Sequence, residues 1–302
     1  MRLLNRSVGR LSRHRRGRLA GLVVLLLGLL LTGGLYATLA PAQAGKAQSQ
    51  EELVKKGREL FLISCSFCHG QNGEGILTKN GDNVGPPLTD VGAAAVDFQV
   101  GTGRMPLQQP GAQAPRKNPA FSDEETEALA AFVASLGNGP AIPEQTDYDL
   151  DAYLESQGLE GEEYDEAREA AITRGGQIFL SNCTACHNFE GSGGAMPRGG
   201  YAPKIRGVDS KYIYEAMLTG PQSMDTFSNG NLPPDAKRDI IAYLNALDEQ
   251  PEYGGWGSGG MGPVVEGMWA WLIGIGLCVG AAVWIASHST RSSKKPSKGV
   301  DA

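Results

Sequence analysis

Histidine is scarce in this chain, with four in 302 residues, at positions 14, 69, 187 and 288. Cysteine is nearly as rare, with five. A structural zinc site needs four Cys or His donors close together. The stretch 45–262 holds none beyond two Cys-x-x-Cys-His motifs, which argues against zinc. Basic residues are short in the same stretch: 31 Asp and Glu stand against 16 Lys and Arg, a balance of −15. Such a surface repels phosphates, so nucleic acid is excluded as a partner. It suits a soluble block that meets basic protein surfaces. Strand-like alternation is sparse, so the chain reads as mainly α. Charge is missing altogether from two runs, 19–40 and 267–290.

Each uncharged run is long enough to cross a bilayer as a helix, which takes about 20 apolar residues. Basic residues cluster on the far side of both. Residues 1–18 carry seven Arg and no acid, and Arg291, Lys294, Lys295 and Lys298 follow the second run. The positive-inside tendency then places both termini in the cytoplasm and 45–262 outside. The span expected at the C-terminus is 267–288, with a cytoplasmic tail over 289–302. Trp269, Trp271 and Trp284 lie near its ends, where an interfacial aromatic belt belongs. The first run, 19–40, also fits a secretory signal, since Ala40 and Ala42-Gln43-Ala44 follow it. Either reading exports the acidic block to the outer face of the cell membrane.

That block contains a repeat. Residues 52–70 read ELVKKGRELFLISCSFCHG, and residues 167–189 read AREAAITRGGQIFLSNCTACHNF. In both, a helical stretch with Gly-x-x-(Leu/Ile)-Phe-Leu leads into Cys-x-x-Cys-His. Each copy ends in another helix. Ser122, with Glu125 three residues on, has capping-box spacing, and Leu129, Phe132, Val133 and Leu136 form one apolar face. Ile240, Ile241, Leu244 and Leu247 do the same in the second copy. The domains are expected at 45–137 and 166–250. Residues 138–165 carry nine acids and no Lys or Arg, too little apolar area for a core of their own. They are expected to form an extended strap with a short helix around Tyr153, and their length marks them as either functional or packed along a surface. Six glycines within 254–262 make 251–266 a flexible tether to the last span.

Cys-x-x-Cys-His is the attachment motif of a c-type haem. Two thiols must reach the two vinyl groups of one porphyrin, and the adjacent imidazole must face the iron. Cys65, Cys68 and His69 form one such site, and Cys183, Cys186 and His187 the other. A disulfide or a dithiol redox pair has the same Cys spacing, but neither requires His in both copies. His14 and His288 lie at or beyond the membrane ends, so no histidine is left as a second axial ligand. Methionine is then the expected donor. Met105 is the one methionine of the first domain, 36 residues after His69. Met224 lies 37 residues after His187, whereas Met196 is nine residues past it and Met217 sits in a helical stretch that suggests core packing. A coordinating histidine also needs its other ring nitrogen held. The carbonyls of Pro86, 17 residues after His69, and Pro203, 16 after His187, are the expected partners. His/Met ligation fills both axial positions, which leaves outer-sphere electron transfer as the chemistry. Cys278, inside the second run, has no partner and reads as packing, with acylation as the alternative.

The Cys-x-x-Cys-His, the Gly-Pro-x-Leu loop at 85–88, the methionine loop and the last helix come in the order of class I cytochrome c domains, twice. The chain resembles that fold over 52–137 and 167–248. The full layout, with Leu-Thr-Gly-Pro-Gln-Ser-Met at 218–224, resembles the di-haem cytochrome c subunit of the actinobacterial cytochrome bc complex, a menaquinol:cytochrome c reductase. The resemblance implies two covalent c haems and a cytochrome b subunit alongside. It also implies electrons arriving from a Rieske iron–sulfur subunit, with the first domain the expected entry, and leaving to an aa-type cytochrome oxidase. Competing functions are the di-haem subunit of a cbb-type oxidase, a free-standing membrane-anchored shuttle, and a di-haem peroxidase or thiosulfate-oxidising enzyme. The C-terminal span opposes the first. A methionine for each iron opposes the last, which needs an open or unusual axial position.

Overall fold

A computed structural model describes residues 18–39, 50–109, 111, 113–196, 199–249 and 263–291. The basic N-terminus with His14, the glycine-rich tether over 254–262 and the tail after 291 lie outside the described residues. The chain divides after Glu52 into two units. The described part of the first is helix α1 (Arg18–Leu39) and the opening turn of α2. The leucines of α1 between 22 and 31 are exposed, as an apolar helix without a core must be.

The second unit opens with α2 (Gln50–Ser64), α3 (Ser66–His69), the two-stranded pair β1 (Ile76–Leu77) and β2 (Asn83–Gly85), α4 (Gly92–Gly101) and α5 (Asp123–Ala134). Ser122 caps α5 with a full capping box. Its hydroxyl takes the Glu125 N–H at 3.3 Å, and its own N–H donates to the Glu125 carboxylate at 2.9 Å. Leu129, Phe132 and Val133 are buried with Phe61, and Leu136 closes the edge. After the connecting segment come α6 (Gln145–Tyr148) and α7 (Leu150–Ser156). Then the pattern repeats: α8 (Gly161–Asn182), α9 (Thr184–His187), β3 (Gly194–Ala195) with β4 (Tyr201–Ala202), α10 (Ser210–Thr219) and α11 (Pro234–Glu249). The chain is mainly helical, and the short hairpins β1–β2 and β3–β4 are the strands that alternation did not reveal.

In each repeat the first helix crosses the last at a glycine. A Cβ on Gly57 would stand 1.9 Å from the Ala128 carbonyl oxygen, and one on Gly175 would stand 1.9 Å from that of Asp239. Only a residue without a side chain permits backbones that close. One turn further on, Phe61 packs on Phe132 with ring centroids 5.0 Å apart, and Phe179 packs on Tyr243 at 5.6 Å. Four residues after each Phe comes the first Cys of the motif. The crossing therefore sets where the two thiols emerge.

In the strap expected over 138–165 the short helix around Tyr153 is present as α7, and the segment packs along the second domain, helical rather than extended. Asp149 accepts the N–H groups of Asp151 and Ala152, each at 3.1 Å, and so caps α7. Leu150 and Leu154, four residues apart, bury against Ala171 and Ala242. Arg238 reaches back from α11, donating to the Thr146 carbonyl at 3.0 Å and lying 3.5 Å from the Tyr153 ring centroid. α8 begins at Gly161, five residues ahead of the boundary expected at 166. The acidic face made this segment look coreless, but it borrows the second domain's core.

The two domains meet through α4 and α10. Phe98 and Tyr212 stack edge to face at 6.4 Å, and Lys211 Nζ lies 2.6 Å from the Asp97 carboxylate. Gln113 makes two hydrogen bonds to the Tyr201 backbone, and Gln222 donates to the Ala114 carbonyl at 3.1 Å. Glu215 lies at this seam with no exposure, and no donor reaches either of its oxygens among the described residues. Helix α12 (Pro263–Arg291) completes the chain. Among the described residues one stretch, Val265–Ser287, is long and apolar enough to cross a membrane, and the described apolar stretch in α1, Gly21–Gly34, is shorter. Trp269, Trp271, Trp284 and Cys278 lie exposed on α12.

Candidate functional site

The two Cys-x-x-Cys-His motifs fold alike. Each first Cys ends a long helix, and the next four residues form one more turn, α3 or α9. The His69 N–H returns to the Cys65 carbonyl at 3.0 Å, and that of His187 to Cys183 at 2.9 Å. This turn presents both cysteines and the imidazole on one side. None of the four cysteines is in a disulfide. Burial, and then the neighbouring Cys68, pushes Cys65 up to about 11. Burial and then Cys186 do the same to Cys183, also to about 11.

His69 Nδ1 lies 2.8 Å from the Pro86 carbonyl oxygen, and His187 Nδ1 lies 3.1 Å from that of Pro203. A carbonyl can only accept, so Nδ1 carries the proton and Nε2 keeps a free lone pair. Burial lowers the pKa of His187, against the opposing pull of the Pro203 carbonyl, and so favours the neutral ring that a metal requires. The proline loops are anchored identically. Leu88 N–H donates to Gly73 O at 2.7 Å, and Ile205 N–H to Gly191 O at 2.8 Å.

Met105, like Cys65 and Leu88, packs at the edge of the first core. Its loop is pinned by its own N–H to the Gln99 carbonyl at 2.9 Å and by Lys117 Nζ to the Pro106 carbonyl at 2.9 Å. Met224 holds the matching place in the second core, beside Cys183 and Ile205. In the second domain Cys183, Cys186, His187, Pro203 and Met224 all line one cleft of about 440 Å³. Met196 and Met217 line it as well, with Met217 only 4 % exposed inside α10. A thiol pair, an imidazole with a free Nε2, a thioether and apolar walls fit a covalently held porphyrin iron.

Sequence reasoning missed the part of this cleft that comes from the first domain: Phe98, Arg104, Ala114, Pro115 and Arg116. Arg104 donates to Thr102 Oγ1 at 2.6 Å, and its guanidinium lies 4.6 Å from the Phe98 ring centroid. Burial, then the like charge of Arg116, lowers its pKa. Position in a mainly acidic block was the one available signal.

Fold and site together define c-type cytochrome domains in tandem, a fold that holds haem c covalently. Comparison with known families agrees. The family described as "Cytochrome c" matches residues 54–137, and "Cytochrome C oxidase, cbb3-type, subunit III" matches 170–244. A protein of Corynebacterium diphtheriae named "Cytochrome bc1 complex cytochrome c subunit" is 42% identical over 290 residues, covering 95% of this chain and 100% of the relative. Proteins of the same name from Mycobacterium tuberculosis (42% identity; 93% of this chain, 95% of the relative) and Mycobacterium leprae (39%; 88% and 87%) are also similar. The chain belongs to the family of cytochrome bc1 complex cytochrome c subunits. It is an electron-transfer protein associated with a membrane.

Proposed function

We propose that this chain carries two c haems and relays electrons between them inside a respiratory quinol:cytochrome c reductase. Cys65 and Cys68 would hold one haem covalently, with His69 and Met105 as the residues that would ligate its iron. Cys183 and Cys186 would hold the other, with His187 and Met224. Pro86 and Pro203 fix the two imidazoles. What carries the reading is the paired His–Pro hydrogen bond, which leaves one free Nε2 beside each thiol pair. Held by a histidine and a methionine, each haem would supply single-electron exchange without binding substrate. The protein's part is to anchor and orient each group, exclude water and set its potential. The subunit therefore serves a translocating oxidoreductase without substrate chemistry of its own.

The partners proposed are the Rieske iron–sulfur and cytochrome b subunits of the same complex, with an aa-type cytochrome oxidase as acceptor. The first domain would receive electrons from the Rieske subunit, and the second would pass them to the oxidase. The organisation proposed is a domain over 45–137, a second over 166–250 with α6 and α7 packed on it, a tether at 251–266 and a membrane span at 267–288. Both termini face the cytoplasm and the haems face outward, with 19–40 as a second anchor. Affinity purification of the tagged chain in mild detergent tests this. The Rieske, cytochrome b and oxidase subunits should come down in fixed ratio. A chain recovered alone, with its haems intact, would point instead to a free-standing carrier.

A further inference from the structure

The cleft around Cys183, Cys186, His187 and Met224 is not closed by its own repeat, because residues of the first domain form part of its wall. Four charged side chains line it: Arg104, Arg116, Lys204 and Asp225. Three cations against one carboxylate leave +2, within a stretch whose overall balance is −15. Neither Arg104 nor Arg116 joins an ion pair among the described residues. Arg104 is half-buried, held in place by Thr102 and the Phe98 ring. Two neighbouring guanidinium groups without an acid, aimed into a cleft, mark a place for an anion.

We propose that Arg104 and Arg116 of the first domain bind the propionate carboxylates of the haem attached to the second. The proposal rests on the reading that each repeat carries a c haem. Two ionised propionates bring −2, which the lining charge of +2 offsets. Arginine suits the task because its planar fork pairs a carboxylate through two N–H donors. The second haem site is then built from both domains. Arg104 also directly precedes Met105, so adjacent residues of one loop serve the two haems.

Potentiometric titration of the purified, haem-loaded full chain, followed at the haem α band, tests this. Losing a cation beside the propionates favours the ferric state. Arg116→Gln should lower the reduced-to-oxidised ratio of one haem about tenfold at fixed potential, ~59 mV for one electron. Arg116→Glu should lower it further, and Arg116→Lys should restore most of the loss. The haem that moves should be the one that Met224→Leu also moves, and the other should stay in place. Arg104→Gln should act on the same haem. Two outcomes overturn the proposal: both potentials unchanged in Arg116→Gln, or a shift confined to the haem that Met105→Leu moves. Pyridine haemochrome on the same samples separates this from the underlying reading. Two thioether-bound haems with unmoved potentials refute the arginine assignment alone, whereas fewer than two in the wild-type chain refute both.

Discussion

Glu215→Gln should make the protein more stable at neutral pH, and more so as pH rises. Glu215 is fully buried at the seam between α4 and α10. Burial, then the facing carboxylate Asp97, raises it from 4.5 to about 10, with Lys211 pulling it down and Asp209 adding to the rise. The folded state therefore keeps the proton at pH 7, while the unfolded chain releases it. A carboxyl raised in this way contributes stability that is full below its unfolded pKa and is lost as pH climbs towards the folded one. The window here runs from 4.5 to about 10. Between the unfolded pKa and pH 7 the loss is ~3 kcal/mol, and at pH 5 it is ~0.7 kcal/mol. Gln keeps the shape but has no proton to lose. Glu215→Gln should then raise Tm by about 6–12 °C at pH 7 and by no more than about 3 °C at pH 5, for a domain pair of this size. Thermal unfolding of the purified haem-loaded chain, wild type against variant at several pH values, gives the difference directly and cancels every other titration. A gap that does not widen with pH, or a variant that melts lower at pH 7, would refute the protonated Glu215.

Other outcomes follow from the two sites and the helix crossings. Met105→Leu and Met224→Leu should each lower the potential of one haem by more than about 59 mV and let that iron take up carbon monoxide, read by potentiometry and a CO difference spectrum. Wild-type potentials in both variants would end the ligand assignment. Cys65→Ser or Cys183→Ser should leave one haem on a single thioether, seen as a shifted pyridine haemochrome band. Gly175→Ala would put a methyl 1.9 Å from the Asp239 carbonyl oxygen, so α8 and α11 must part. That overpacking costs at least about 1–3 kcal/mol, a fall in Tm of about 2–4 °C for each. A variant that melts like wild type would contradict the close crossing.

The features legible in the sequence are those coded locally. A Cys-x-x-Cys-His turn needs only its own five residues, and the Ser122 capping box only four. Pro86 and Pro203 could be picked out because each sits a similar distance past its histidine. The connecting segment misled because its charge was counted ahead of its spacing. Leu150 and Leu154 stand one turn apart among nine acids, and their partners Ala171 and Ala242 lie far along the chain. The domain seam was invisible for a related reason. Phe98, Asp97 and Arg104 belong to a helix and loop whose other face fills the first core, so periodicity assigns them to that core. That the same stretch also walls the second cleft depends on tertiary contacts with Tyr201, Tyr212 and Gln222, which no local pattern carries.

We propose that each half of residues 45–262 holds its own covalently attached haem c. Quantitative pyridine haemochrome of the purified full chain, set against protein concentration, measures this most directly. Two haems per chain are expected, both with the spectrum of doubly thioether-linked haem c. One haem per chain, or haem extracted by acid acetone, would contradict it.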